Sequence, residues 1–105
     1  MTSSLLKRAI RKGKKVPLKY RIVAVGFNKK GEFLSVATNR ARFSKKSGGL
    51  HAEINMLLRH GKDLHSLFLL RVSRKGELLP IDSCACCKGV LAEHKVRVYK
   101  VRRTL

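Results

Sequence analysis

Residues 20–27, Tyr-Arg-Ile-Val-Ala-Val-Gly-Phe, form a nearly continuous apolar run that is rich in β-branched side chains. Such a run predicts a strand that is buried on both faces, in the centre of a sheet. The turn-forming sequence Asn-Lys-Lys-Gly follows at residues 28–31, and residues 33–38 have the pattern of a second strand, so the two segments predict a β-hairpin. A central strand constrains the whole chain, because every other element must lie beside it or cover one of its faces.

Outside the hairpin, helix and strand patterns alternate, with predicted helices over residues 3–13, 50–60 and 84–94 and predicted strands over residues 64–72 and 95–101. Ser3 or Ser4 is expected to cap the first helix and Gly13 to end it, while Gly61 is expected to end the second. The predicted fold class is α/β, a compact three-layer fold with a mixed sheet of about four strands and helices on its faces.

A chain of 105 residues has room for one domain. We therefore treat residues 1–105 as a single unit, with a basic N-terminal helix over residues 1–15 and a core over residues 20–101. Lys and Arg number 25 against 6 Asp and Glu, a formal charge of +19. Positive charge of this density attracts polyanions, so RNA or DNA is the expected partner, unless the chain comes from a generally basic proteome.

The three cysteines fall within four consecutive positions, 84–87. An odd number at this spacing does not suit a disulfide framework and favours metal binding in a reducing compartment, so an intracellular location, the cytoplasm or its equivalent, is expected. No apolar run approaches the ~18 residues of a membrane-spanning helix, and no membrane partner is expected. The basic, acid-free N-terminal segment would suit a mitochondrial transit peptide as well as a helix that faces nucleic acid.

Two short stretches contain the candidate chemistry, His51-Ala52-Glu53 and Cys84-Ala85-Cys86-Cys87. One imidazole and two thiolates are suitable ligands for zinc, and catalytic zinc keeps its fourth position open to water. Cys84 and Cys87 lie one turn apart at a predicted helix start, where thiolates are favoured. Glu53 is not needed as a ligand and could carry protons. The alternatives are buried core thiols and a carboxylate that only stabilises its helix.

The pattern H-x-E followed by C-x-x-C resembles the zinc-dependent nucleobase deaminases. The longer stretch His-Ala-Glu-Ile-Asn-Met-Leu, residues 51–57, is similar to the first active-site helix of that family. Two departures are Ser83, where the family has proline before the first cysteine, and the extra thiol of Cys86. The chain thus resembles the cytidine and deoxycytidylate deaminase superfamily over residues 20–101, which the resemblance makes the catalytic core.

The resemblance implies a zinc-dependent deaminase that converts cytosine to uracil in a (deoxy)cytidine nucleotide or in single-stranded nucleic acid. It implies Zn²⁺ held by His51, Cys84 and Cys87, and Glu53 as the catalytic proton carrier. Residues expected to bind the substrate are Asn39, Ala52 and Ser83. The family commonly adds a further helix and a fifth strand, so we expect a C-terminally truncated version of the fold, and a homo-oligomer that covers the exposed sheet edge.

The sequence allows alternative interpretations of the function and of several residues. An adenosine deaminase of the same superfamily and a non-catalytic, zinc-stabilised nucleic-acid-binding protein both fit the pattern. Cys86 is expected to be a core or helix-face thiol, although it could replace a neighbouring ligand. Asn55 is expected to be an ordinary helix residue, and His60, His65 and His94 surface or helix-end groups.

Overall fold

The computed structural model describes residues 2–17, 20–39, 51–81 and 85–101, apart from the side chains of residues 85–88. The helices are α1 (Ser3–Lys14), α2 (Ala52–His60) and α3 (Ala85–Glu93), and the strands are β1 (Ile22–Phe27), β2 (Phe33–Thr38), β3 (Ser66–Val72), β4 (Leu78–Leu79) and β5 (Arg97–Val101). A short 3-10 turn, Gly61–Asp63, follows α2. The predicted succession of helices and strands is confirmed, and β4 is an additional element.

β1 lies in the middle of the sheet, as its apolar sequence predicts. It pairs antiparallel with β2 on one side and antiparallel with β3 on the other, with Val25 opposite Val36 and Phe68. β3 also pairs in parallel with β5, along residues 66–70. The sheet is therefore mixed, and the predicted hairpin of β1 and β2 is confirmed.

β4 arises from a second hairpin at the end of β3. The turn is closed by a hydrogen bond from Ser73 N–H to the Glu77 carbonyl, 2.9 Å, and Gly76 adopts φ 88°, a left-handed conformation that favours glycine. Leu78 and Leu79 then pair with Val72 and Arg71. This brings the described sheet to five strands rather than about four, because a strand of two residues is too short to show alternation in a sequence.

The two faces of the sheet are covered by different helices. One core cluster joins α1 to the sheet and the other joins α2 and α3 to the opposite face, which confirms the three-layer arrangement. The α1 cluster is Leu6, Ala9, Val23, Val25, Val36, Leu70 and Val72. The opposite cluster is Ala24, Ala37, Ala52, Met56, Leu57, Leu64, Leu67, Leu69, Ile81, Leu91 and Val96. None of the helices in the described ranges is long and apolar enough to cross a membrane.

Small residues allow α2 to lie close to the sheet. Ala24, Ala37 and Ala52 are fully buried between them. At Gly26, a Cβ atom would lie 2.7 Å from the Sδ atom of Met56, a separation that real Cβ atoms essentially never show. The distance between the helix and β1 therefore depends on a glycine at this position.

The ends of α1 differ from the prediction. Thr2 is the N-cap, not Ser3 or Ser4, because its backbone is extended and its Oγ1 accepts a hydrogen bond from Leu5 N–H at 3.2 Å. Gly13 does not end the helix but lies buried within it. A Cβ atom at Gly13 would lie 2.7 Å from Val23 Cγ2 and 2.9 Å from Val72 Cγ2, so glycine is required for close approach and not for a left-handed cap.

We predict that Gly13→Ala destabilises the protein by about 1–2 kcal/mol, because overpacking a core costs about 1–3 kcal/mol and exceeds the gain in helix propensity of about 1 kcal/mol. The matched control is Gly89→Ala in α3, where an added Cβ would meet no atom within 4 Å. That substitution should stabilise the protein by roughly 0.5–1 kcal/mol. Urea unfolding measures both values, and a Gly13→Ala variant as stable as the original chain would show that α1 can move away from the sheet.

Candidate active site

α2 begins at one end of the sheet, beside the end of β2. β2 and β3 are both antiparallel to β1, so they run in the same direction and their carboxyl ends lie at the same edge. The Nδ2 group of Asn55 donates to the Thr38 carbonyl at 3.0 Å, which holds the first turn of α2 against the end of β2. Ligands of α/β proteins commonly bind at such an edge.

His51 is the N-cap residue of α2. Its backbone is extended, with φ −72° and ψ 146°, and its carbonyl accepts the first helical hydrogen bond, from Asn55 N–H at 2.9 Å. The imidazole makes no capping bond to the helix and is exposed. Residues that usually occupy an N-cap position do so because their side chain caps the helix. His51 does not, so its side chain has no capping role.

Glu53 lies in the first turn of α2 and is 4% exposed. The acids Glu32, Asp63, Glu77 and Glu93 are all exposed, so Glu53 is the only buried acid in the described part of the chain. Burial of a carboxylate is unfavourable unless its charge is compensated, and the N-terminus of a helix supplies part of that compensation. Buried carboxylates in such surroundings are typical of functional sites.

α3 lies beside α2 on the same face of the sheet. Leu91 of α3 shares a core cluster with Met56 and Leu57 of α2, and Ile81, three residues before the cysteine stretch, belongs to the same cluster. Cys87 is in the first turn of α3, the helix predicted there, but its side chain and that of Cys86 lie outside the described part of the structure. Cys84 and Ser83 also lie outside the described residues.

No group of three or more potential metal ligands occurs among the described residues. Because two of the three predicted ligands are outside that set, this result does not bear on the predicted zinc site. The donor set itself, one imidazole and two thiols, has the chemistry that zinc prefers. His51 and the start of α3 are both associated with the α2 side of the sheet, so the fold is compatible with that assignment.

Asn39 follows β2 and bonds to the beginning of β1. Its Oδ1 accepts a hydrogen bond from Ile22 N–H at 3.0 Å, and its Nδ2 donates to the Tyr20 carbonyl at 2.8 Å. The side chain therefore continues the pairing of β1 and β2 by one more residue. An amide of this type has a second acceptor lone pair and a second N–H. The predicted contact with a substrate would use one of these.

Ala52 is the first residue of α2 and its side chain is fully buried in the core. Its methyl group packs beneath the helix, so a role in substrate binding would fall to its backbone. The first N–H groups of an α-helix have no partner within the helix and are suited to donate a hydrogen bond to a polar ligand atom. The prediction for Ala52 is thus restricted to its main chain.

Two helix residues have structural roles that their sequence positions do not reveal. Asn55, expected to be an ordinary helix residue, is buried and anchors α2 to Thr38. His60, expected at the surface or as a helix-end group, is half-buried and its Nε2 lies 2.6 Å from the Ser35 hydroxyl. His94 does lie at an exposed helix end, with its Nδ1 atom 2.9 Å from the Val90 carbonyl.

Arg71 is a polar residue that the sequence analysis did not identify. Its guanidinium carbon lies 4.6 Å from the centre of the Tyr20 ring, and its buried Nε has no hydrogen-bond partner among the described residues. Arg71 pairs with Ile22, so it lies at the same end of the sheet as Asn39. Arg71 alternates along β3 with Leu67 and Leu69, which belong to the core on the α2 side. The spacing of these residues in the sequence therefore indicates that the Arg71 side chain lies on the same side of the sheet.

Solved structures of cytidine deaminases have the same fold. Cytidine deaminase from Mycobacterium leprae is similar over 89% of this chain and 82% of its own, with 21% sequence identity and a TM-score of 0.60. Cytidine deaminase from Burkholderia pseudomallei is similar over 97% of this chain and 87% of its own, with 17% sequence identity and a TM-score of 0.62. The apo form of dCMP deaminase from the cyanophage S-TIM5 is similar over 95% of this chain and 84% of its own, with 19% sequence identity and a TM-score of 0.63. The chain therefore shares the fold of these solved deaminases, which confirms the predicted resemblance at the level of the fold. No protein-family model and no curated protein sequence matches the chain.

We predict that Asn39→Asp lowers the free energy of unfolding by about 1–3 kcal/mol, because the Tyr20 carbonyl loses its donor and faces a negative charge instead. The control is Asn28→Asp in the exposed turn after β1, where Oδ1 accepts from Lys30 N–H and Glu32 N–H and would still do so. This control loses only an exposed bond from Nδ2 to Glu32 Oε1, whereas Asn39→Asp loses the bond that holds the start of β1. The control should change stability by less than about 0.5 kcal/mol. Thermal or urea unfolding compares the two, and equal effects would show that Asn39 does not hold β1.

Proposed function

We propose that the protein is a zinc-dependent hydrolytic deaminase that converts cytosine to uracil in a (deoxy)cytidine nucleotide or in single-stranded nucleic acid. The main support is the burial of Glu53 in the first turn of α2, two residues after an exposed histidine, in a chain with the cytidine deaminase fold. Residues 1–105 would act as one domain, with the catalytic core in residues 20–101.

The proposed zinc ligands are His51, Cys84 and Cys87, from the beginnings of two neighbouring helices. Three protein ligands with a fourth position left for water are typical of catalytic zinc. When bound, the ion would act as a Lewis acid that lowers the pKa of water to about 7. The extra thiol of Cys86 is assigned no role in binding the metal.

Glu53 would transfer two protons in turn. It accepts one from the attacking water as the oxygen bonds to C4 of cytosine, and passes it to the ring nitrogen N3. It then transfers the proton of the new hydroxyl to the amine, the C4–N bond breaks, and ammonia leaves while the oxygen remains as the carbonyl of uracil. Burial keeps bulk water from the carboxylate during each transfer.

Binding of the substrate would use groups at the same end of the sheet. Proposed contacts are the amide of Asn39, the backbone of Ala52, and Ser83. A phosphate-bearing substrate is favoured by the charge of +19 and by Arg71, whose Nε lacks a hydrogen-bond partner among the described residues. A base within a polymer would have to be single-stranded or extruded to enter such a site.

The exposed face of α1 supports a second candidate function, a non-catalytic nucleic-acid-binding protein stabilised by zinc. This face contains Lys7, Arg8, Arg11, Lys12 and Lys14, and the first turn of the helix has no acid. Such a face would bind phosphates with or without catalysis. The two functions differ in whether the protein releases ammonia.

We predict that Glu53→Gln lowers the rate of ammonia release by at least about 100-fold, because proton transfer by a positioned side chain contributes about 10²–10⁴-fold. The assay uses cytidine, dCMP, adenosine, and single-stranded DNA and RNA, with uracil and hypoxanthine identified by mass. Glu77→Gln, at an exposed acid on the turn before β4, is the control and should retain full activity.

Zinc content and the circular dichroism spectrum of Glu53→Gln should match those of the original chain, because Glu53 is not a proposed ligand. Product from adenosine alone would identify the protein as an adenosine deaminase. No product from any substrate, with zinc present, would favour the nucleic-acid-binding protein. Full activity in Glu53→Gln would overturn the role assigned to this residue.

We also predict that Cys84→Ser and Cys87→Ser each lose bound zinc, whereas Cys86→Ser retains about one zinc per chain. All three replacements remove one sulfur atom and keep a similar size, so they serve as controls for one another. Elemental analysis of the purified proteins gives the metal content directly. Loss of zinc in Cys86→Ser, with retention in Cys84→Ser or Cys87→Ser, would place Cys86 in the ligand set.

A further inference from the structure

A continuous row of aromatic rings crosses the α1 face of the sheet at the end where β1 turns into β2. Phe33 of β2, Phe27 of β1, Phe68 of β3 and Tyr99 of β5 form the row. Successive ring centres lie 6.3, 5.5 and 5.1 Å apart. The first two contacts are edge-to-face, and Tyr99 is stacked on Phe68 with an interplanar angle of 24°. We call these four residues the aromatic row.

The aromatic row is only partly covered by the rest of the protein. Tyr99 is 45% exposed, and the three phenylalanines are partly buried at the margin of the α1 core cluster. A contiguous exposed patch of apolar rings, unlike a single exposed side chain, marks a surface suited to binding. The row lies on the face opposite to α2 and α3, so it is separate from the candidate active site.

Basic side chains surround the aromatic row. The Arg8 guanidinium carbon lies 5.4 Å from the centre of the Phe33 ring. Lys29 and Lys30 are exposed in the turn that joins β1 to β2, where Glu32 is the accompanying acid. Arg97 is exposed on β5 two residues before Tyr99, and alternate residues of a strand share a face. Positive charge thus comes to the rings from α1, from the turn between β1 and β2, and from β5.

We propose that the aromatic row binds a single-stranded polynucleotide, whose bases stack on Tyr99 and the neighbouring rings while its phosphates contact the surrounding cations. Aromatic rings combined with a positive surface are the features that bind single strands without sequence preference. A second copy of the chain is the less suitable occupant, because each copy carries a charge of +19 and would repel the other. The proposal does not depend on deamination, since this surface would bind a strand whether or not the active site is functional.

The test is the binding of a fluorescein-labelled oligothymidylate or oligouridylate of about 16 nucleotides, the upper end of the site size of a compact single-strand-binding domain. A duplex of the same length is the competitor. Fluorescence anisotropy measures affinity over a series of salt concentrations. Tyr99→Ala should weaken binding of the single strand about tenfold, because one stacked base contributes roughly that factor, and should leave the salt dependence unchanged.

Three further variants separate stacking from charge and from folding. Tyr99→Phe keeps the ring and should bind as the original chain does. Arg97→Gln should reduce the slope of log affinity against log salt by about one unit, because one phosphate contact is lost. Leu58→Ala, which shortens a side chain that is 73% exposed on α2, should have no effect.

Equal affinity of Tyr99→Ala and the original chain for the single strand would overturn the proposal. So would equal affinity of the original chain for single strand and duplex, since charge alone would then explain binding. A dimer of the original chain that dissociates in Tyr99→Ala, measured by sedimentation, would assign the surface to a second copy instead. Ammonia release is not part of this measurement, so its outcome is independent of the proposed catalytic function.

Discussion

The pairing of β1 with strands on both of its edges determines where the other elements can lie. Alternate side chains of a strand point to opposite faces of the sheet. Val23 and Val25 must therefore be packed by an element on one face, and Ala24 by an element on the other. α1 supplies the first cover and α2 the second. The packing is close on both sides because glycine occupies each point of approach, Gly13 on α1 and Gly26 on β1. A larger residue at either point would move a helix away from the sheet.

The position of α2 has a direct consequence for Glu53. Because the helix lies close to the sheet and begins at the end of β2, its first turn is below the protein surface. Removing a carboxylate from water costs several kcal/mol, and the helix N-terminus returns only about 0.3–2 kcal/mol of that. A purely structural acid could have remained exposed, as Glu32 and Glu77 do. The burial of this acid, which the fold does not require for stability, is the observation on which the proposed role in proton transfer rests.

The elements whose hydrophobic pattern is long could be predicted from the sequence, and the short or locally bonded ones could not. β1, β2, β3 and the three helices were correct to within a few residues because periodicity extends over each of them. β4 was missed because two residues carry no periodicity. Gly13 was taken as the end of α1 because sequence shows that a residue is small but not which neighbour requires it to be small.

The same distinction, between residues with a sequence pattern and residues that matter through tertiary contacts, applies to the candidate site. His51 and Glu53 could be predicted as candidates because their spacing matches a known motif, and the structure places both at the start of α2. Asn55 could not be predicted, because its importance comes from a contact with Thr38, which is distant in sequence. For Arg71 the alternation of β3 indicates the face of the sheet but not the contact with Tyr20. Tertiary hydrogen bonds and ring contacts of this kind have no local signature. Residues of this class become visible only when strand register and helix position are known.

The outer edge of β2 bears on how the two faces of the sheet could serve one polynucleotide. Lys12 from α1 and Arg59 from α2 both donate to the Val36 carbonyl on β2, at 3.4 and 3.3 Å. Cations from both helical layers therefore meet at this edge. These two side chains occupy a carbonyl that an added strand would need, so the homo-oligomer expected from an exposed sheet edge is disfavoured at β2. The same positive charge would attract phosphates between the aromatic row on one face and the candidate active site on the other.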